Sequence, residues 1–133
     1  MIVRQGNTMA WKYDPGEKRR KHKWENDYAG FATEGGAEVG KCPSTITNQL
    51  AEELLNTGVP WSNPNMPADY PRNIYNVHDG VVYKAMITVG GVSYHGFPLK
   101  GVAPKEVVSK LRDLAVEKKC SMEFEAWLKR YIR

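Results

Sequence analysis

The sequence predicts an α+β protein: a small antiparallel sheet of two or three strands packed against three helices. Three observations carry this reading. Val81–Val89 and Val92–Pro98 are strand-like runs separated only by Gly90-Gly91, a strong signal for a two-residue hairpin turn. Residues 104–119 and 121–132 repeat apolar side chains at helical spacing. The chain has 133 residues, 41% of them hydrophobic and 26% charged, so one domain can bury a core without a metal or disulfide framework.

Taken in chain order, residues 1–40 read as a basic, partly ordered N-terminal arm, and 41–133 as a single α+β domain. The arm contains Gly16, Gly30, Gly35, Gly36 and Gly40 and little periodicity. It also holds Lys18-Arg19-Arg20-Lys21-His22-Lys23, flanked by Trp11, Tyr13 and Trp24. A like-charge run of this length is usually solvated. Pro15 and Glu17 suit the start of a short helix reaching Asp27.

The first strong helix is expected over about 44–56. Ser44 or Thr45 is its cap, Ile46, Leu50 and Leu54 form its apolar stripe, and Gly58 is its stop. Pro60, Pro64, Pro67 and Pro71 then predict a rigid loop over 59–73, pinned by Trp61 and Tyr70. Asn73–Val77 is the third, short strand, turning at Asp79-Gly80 into the hairpin 81–98. Pro104 opens the second helix, in which Val107, Val108, Leu111, Leu114 and Ala115 share a face. Ser121 caps the last helix, with Phe124, Trp127, Leu128 and Tyr131 at i, i+3, i+4 and i+7.

A two-residue turn sets the hairpin register. It pairs Val89 with Val92, Ile87 with Tyr94 and Ala85 with Gly96 on an apolar face that should meet the helices. The more polar face pairs Thr88 with Ser93, Met86 with His95 and Lys84 with Phe97. The order helix, strand, strand, strand, helix over 44–118 is similar to that of the double-stranded RNA-binding fold, a likeness of topology that covers about half the chain. That fold carries both helices on one face of its sheet and a lysine cluster at the start of its second helix. This sequence departs from that cluster: Pro104-Lys105-Glu106 and then Lys110 stand at that point, with only Lys100 before them.

The net charge of +4 leans toward anionic partners, nucleic acid or an acidic protein surface. The excess lies at 18–23, while 42–132 is nearly balanced. Cys42 and Cys120 make no disulfide framework. Neither a signal peptide nor a membrane span is expected, which leads to a cytoplasmic protein with reduced thiols.

Two constellations could carry function. Lys18, Arg19, Arg20, Lys21 and Lys23 can neutralise phosphates, aided by Lys84 and Lys100, with Trp11, Tyr13, Trp24 and Tyr28 available to stack on bases. The leading expectation is therefore a small non-catalytic module binding nucleic acid or another polyanion. His95 with Lys84 and Tyr83 is the second, a general acid–base and a phosphate-stabilising cation that would suit a small ribonuclease or toxin-like hydrolase. A third reading is a protein-interaction module docking through Trp61 and Tyr70. Cys42, His78, His95 and Cys120 contain no close ligand pair, and the glycine pairs fit no phosphate loop, so no metal and no cofactor is expected.

Overall fold

The computed structural model describes residues 11–15, 25–66 and 68–133. Among them the chain forms, in order, β1 (Lys12–Tyr13), β2 (Gly30–Glu34), β3 (Ala37–Lys41), α1 (Asn48–Asn56), β4 (Val59–Trp61), β5 (Asn73–His78), β6 (Val81–Val89), β7 (Ser93–Pro98), α2 (Lys105–Glu117) and α3 (Ser121–Tyr131). The protein is α+β with three helices, but the small hairpin sheet predicted from sequence is corrected to a larger one. Five strands lie in the order β1-β7-β6-β5-β4, with β1 parallel to β7 and every other neighbour antiparallel. β2 and β3 form a separate two-stranded sheet.

Both added edge strands have physical reasons for escaping notice. β1 is two residues long, too short for periodicity, and non-local bonds hold it. Lys12 N–H donates to Val92 O at 2.9 Å and Asp14 N–H to Tyr94 O at 2.7 Å. On its outer side, Glu52 and Asn56 of α1 accept from the N–H groups of Tyr13 and Trp11 at 2.9 and 2.7 Å. β4 contains Pro60, which excludes a central strand but is tolerated at an edge.

The hairpin differs at its tip. Gly90, Gly91 and Val92 form a three-residue loop, and Val89 pairs with Ser93 rather than with Val92. A bulge between Ile87 and Val89 absorbs the extra residue. Below it Ile87 pairs with Tyr94, Met86 with His95, Ala85 with Gly96 and Lys84 with Phe97.

Helices cover both faces of the sheet, whereas one apolar face was expected to meet them all. Alternate side chains of a strand point to opposite faces. Ile74 packs with Leu55 of α1 and with Tyr94, while Tyr75 and Val77 pack with Val107, Leu111 and Phe124 of α2 and α3. The helices-on-one-face arrangement of the double-stranded RNA-binding fold is thus absent. α1 begins at Asn48, later than predicted, because residues 43–46 make a turn and Thr47 is the cap, accepting from Leu50 N–H at 3.1 Å.

Asn76, buried in β5, joins the layers. Its Nδ2 donates to Leu54 O of α1 at 2.7 Å, and its Oδ1 accepts from Lys118 Nζ, just beyond α2, at 2.9 Å. Lys118 also donates to Val77 O. α2 ends in a Schellman motif: Cys120 N–H reaches Ala115 O at 2.9 Å and Lys119 N–H reaches Val116 O at 3.1 Å. This puts Lys119 at φ 60°, in the left-handed region. α3 then docks on the Asp79-Gly80 turn, where a Cβ on Gly80 would lie 2.2 Å from Glu123 Cβ.

Two stability changes of opposite sign are expected in urea unfolding. Asn76→Ala removes the side-chain donor from the Leu54 carbonyl and one of the two acceptors of the Lys118 ammonium, and costs about 2 kcal/mol. Lys119→Gly relieves the left-handed backbone and adds about 0.5–1 kcal/mol, the smaller part of the strain surviving the greater freedom of the unfolded glycine. A neutral Asn76→Ala would disprove the layer-joining role.

Candidate anion-binding cleft

A cleft of about 530 Å³ opens where β2 and β3, the end of β7 and the C-terminal turn of α3 meet. The hairpin β2–β3 turns on Gly35 and Gly36, both with positive φ, at 59° and 82°. It approaches the sheet through Gly40, where a Cβ would lie 2.8 Å from Pro98 O. This close approach brings Phe31 against α3, its ring centroid 5.1 Å from Tyr131 and 6.0 Å from Trp127. Trp127 is fixed from below by its Nε1–H donated to Leu99 O at 3.1 Å. The last residues are stitched to the loop after β7, with Gly101 N–H on Tyr131 O at 2.9 Å and Arg133 N–H on Gly101 O at 2.8 Å.

Lys100, Lys129, Arg130 and Arg133 line the cleft and are exposed, facing one carboxylate, Glu38. Glu38 is bound to Lys100 at 2.7 Å. Among the described residues no carboxylate pairs with Lys129, Arg130 or Arg133. Lys100 Nζ stands 5.5 Å over the Phe31 ring and the Arg130 guanidinium 5.0 Å over Tyr131. The arrangement can attract anions and can present aromatic faces to them.

No known protein family, curated protein or solved structure matches this chain. The reading of function therefore rests on the site itself.

Of the residues put forward from sequence as contacts for phosphate, base, substrate or partner, Lys100 alone lines this cleft. Lys18, Arg19, Arg20, Lys21 and Lys23 lie outside the described residues. Trp24 does too, while Trp11 packs edge-on against Tyr94 at 5.6 Å and Tyr13 is half-buried beneath α1. His95 and Lys84 share the α2/α3 side of the sheet, but Tyr83 points to the other side, into a cluster with Cys42 and Ile46. His95 Nδ1 lies 2.8 Å from Thr88 Oγ1, and Lys84 Nζ stands 6.0 Å over the Tyr75 ring. Trp61 ties the proline-rich loop to α2 by donating its Nε1–H to Glu106 at 3.0 Å. Cys42 and Cys120 are not joined in a disulfide and are buried in clusters on opposite sides of the sheet. Among the described residues no three His, Cys, Asp or Glu side chains gather as a metal site would need. Nor is any described helix long and apolar enough to cross a membrane.

The cleft residues were missed for different reasons. Gly35-Gly36 between Phe31–Glu34 and Ala37–Val39 is itself a hairpin signal, so β2 and β3 were within reach of sequence reasoning. Lys129 and Arg130 in the last turn of α3 were not, because cations there also complement the helix dipole.

Beneath α1 lies a second, apolar cavity of about 50 Å³, bounded by Tyr13, Cys42, Ile46, Leu54, Ile74 and Tyr83. Burial pushes the phenols of Tyr13 and Tyr83 far above their ordinary range, and those of Tyr75 and Tyr94 upward as well. Phenols whose pKa is raised by folding stabilise the native state fully below the unfolded value. That stability is lost as pH rises past it, because the unfolded chain releases protons that the folded chain keeps. Lys118 works in the opposite sense, since desolvation lowers its ammonium, but it is one group against four. Folding stability is therefore expected to be level up to about pH 9 and to fall above about pH 10. Tyr83→Phe should make that fall shallower. Phenolate absorbance from the whole tyrosine set appearing while the protein remains folded would contradict this.

Proposed function

We propose that this protein is a small non-catalytic module that binds nucleic acid through its phosphates, using the cleft between β2–β3 and the end of α3. The observation that carries the reading is the gathering of Lys100, Lys129, Arg130 and Arg133 around one cleft in a body that is otherwise nearly balanced in charge. Among the described residues Lys129, Arg130 and Arg133 have no carboxylate partner, which keeps their charge available to a polyanion. Phosphate contacts of this kind give affinity that is independent of sequence and steeply dependent on salt. The basic run Lys18, Arg19, Arg20, Lys21 and Lys23 adds to the same attraction.

The compartment that suits this reading is the cytoplasm. Two cysteines buried on opposite sides of the sheet and not joined in a disulfide are at home where thiols stay reduced.

A labelled oligonucleotide titrated at low salt should bind, with log K falling linearly in log salt. Replacing Lys129, Arg130 and Arg133 together by alanine should reduce the salt slope by about 2–3, one phosphate contact for each cation removed. It should also cost at least about tenfold in affinity at low salt. Absence of any retention at low salt would sink the reading, and an unchanged slope would move the interface away from the cleft.

A further inference from the structure

We propose that the cleft takes single-stranded rather than duplex nucleic acid, stacking a base against Phe31 and Tyr131 while Lys129, Arg130 and Arg133 hold the adjoining phosphates. This rests on the nucleic-acid reading above and names the form of ligand that the same site accepts.

Three features point to it. The first is which way the rings face. Phe31 and Tyr131 are half-buried, and the cations over them, Lys100 and Arg130, are exposed. A solvated cation can stand over a ring only from its wet side. The outer faces of both rings therefore look into the cleft, while their other sides pack among Trp127 and each other. A face already covered by an exposed cation suits a base, because base and guanidinium both stack on aromatic rings.

The second is depth. In a duplex the base faces are stacked on one another and only their edges reach the grooves. A ring on a cleft wall meets a duplex base face only after that base has been unstacked and unpaired, at considerable cost. A single strand presents its base faces freely, and stacking on aromatic side chains tolerates any sequence. The cleft, at about 530 Å³, falls within the ~300–1,000 Å³ range of sites that enclose small aromatic ligands.

The third is polarity along the cleft. Glu38 on β3 is bound to Lys100 and offsets its charge, so the hairpin side draws phosphate less strongly. Lys129, Arg130 and Arg133 leave the α3 side positive. Phosphates are thus drawn to the α3 rim, beside the Phe31 and Tyr131 rings that the adjoining bases would meet.

The test compares a single-stranded oligothymidylate with a duplex of equal length, titrated against the full chain at one salt concentration. Single strand is expected to bind at least about tenfold more tightly. Phe31→Leu keeps an apolar contact with α3 but removes the stacking face. It should lose roughly tenfold for the single strand while leaving the salt slope and duplex binding unchanged. Phe31→Trp, which enlarges the face, should retain or strengthen single-strand binding. The urea midpoint of each variant reports whether the hairpin still docks, and the ratio of single strand to duplex for the unmodified protein decides the matter if Phe31→Leu does not fold. Equal affinity for both forms, or an unchanged Phe31→Leu, overturns stacking and leaves the phosphate-binding reading standing. No binding of either form overturns both.

Discussion

The buried amide of Asn76 is the constraint on which the arrangement of layers depends. β4 pairs with β5 only up to Tyr75, so beyond that point the edge of β5 is open. Asn76 lies just past it and is nearly inaccessible to water. An unpartnered amide there would be costly. It is satisfied from both sides: its nitrogen by the C-terminal carbonyl of α1, its oxygen by Lys118 arriving from the end of α2 and by Val77 N–H. One side chain thus terminates a helix on one face of the sheet and receives the cation that ends a helix on the other. With α2 placed, the Schellman turn directs α3 across the sheet, and Gly80 lets it settle on the turn between β5 and β6. The far end of α3 is the wall of the cleft.

This same residue explains why the layering was hard to read. A central strand buried on both faces normally shows as an unbroken apolar run. β5 reads Asn73-Ile74-Tyr75-Asn76-Val77-His78, and its first five residues are all buried. Two asparagines in that run make the pattern look like a half-exposed strand, and a half-exposed strand implies helices on one side only. The hairpin of β6 and β7 was legible because glycine-rich turn chemistry and strand alternation are both local. Its register from Ile87–Tyr94 downward follows from them, and only the tip, where a bulge trades one residue for a longer loop, departs. β1 depends on bonds to residues some eighty positions away, and no local pattern announces it.

The cleft was less legible than the fold. Its walls come from residues 31–40, 97–101 and 129–133, three segments that share no spacing in sequence. Each has an ordinary local explanation: a hairpin, the end of a strand, a helix terminus with favourable cations. What turns them into a site is the close approach allowed at Gly40 and the ring contacts between Phe31, Trp127 and Tyr131. By contrast, His95 and Lys84 were legible as a pair on one face. The pleat that places them there also sends Tyr83 through to the opposite side, so alternation alone separates the third member of that trio.

Chain connectivity gives the cleft a relation to the basic run that charge alone does not. Lys23 precedes Phe31 by eight residues in the sequence. The Asn26 carbonyl accepts from Ser44 N–H at 2.7 Å, which ties Asn26 to the segment leading into α1. On the reading proposed above, a polyanion at the α3 rim has a second source of cations in the same chain. Two weak contacts on one ligand reinforce each other through their high effective concentration. In such a module the folded cleft decides what kind of anion is held, while Lys18, Arg19, Arg20, Lys21 and Lys23 raise how strongly any anion is drawn to it. Binding through the cleft is then sensitive to the shape of the ligand, and binding through the run only to its charge and to salt.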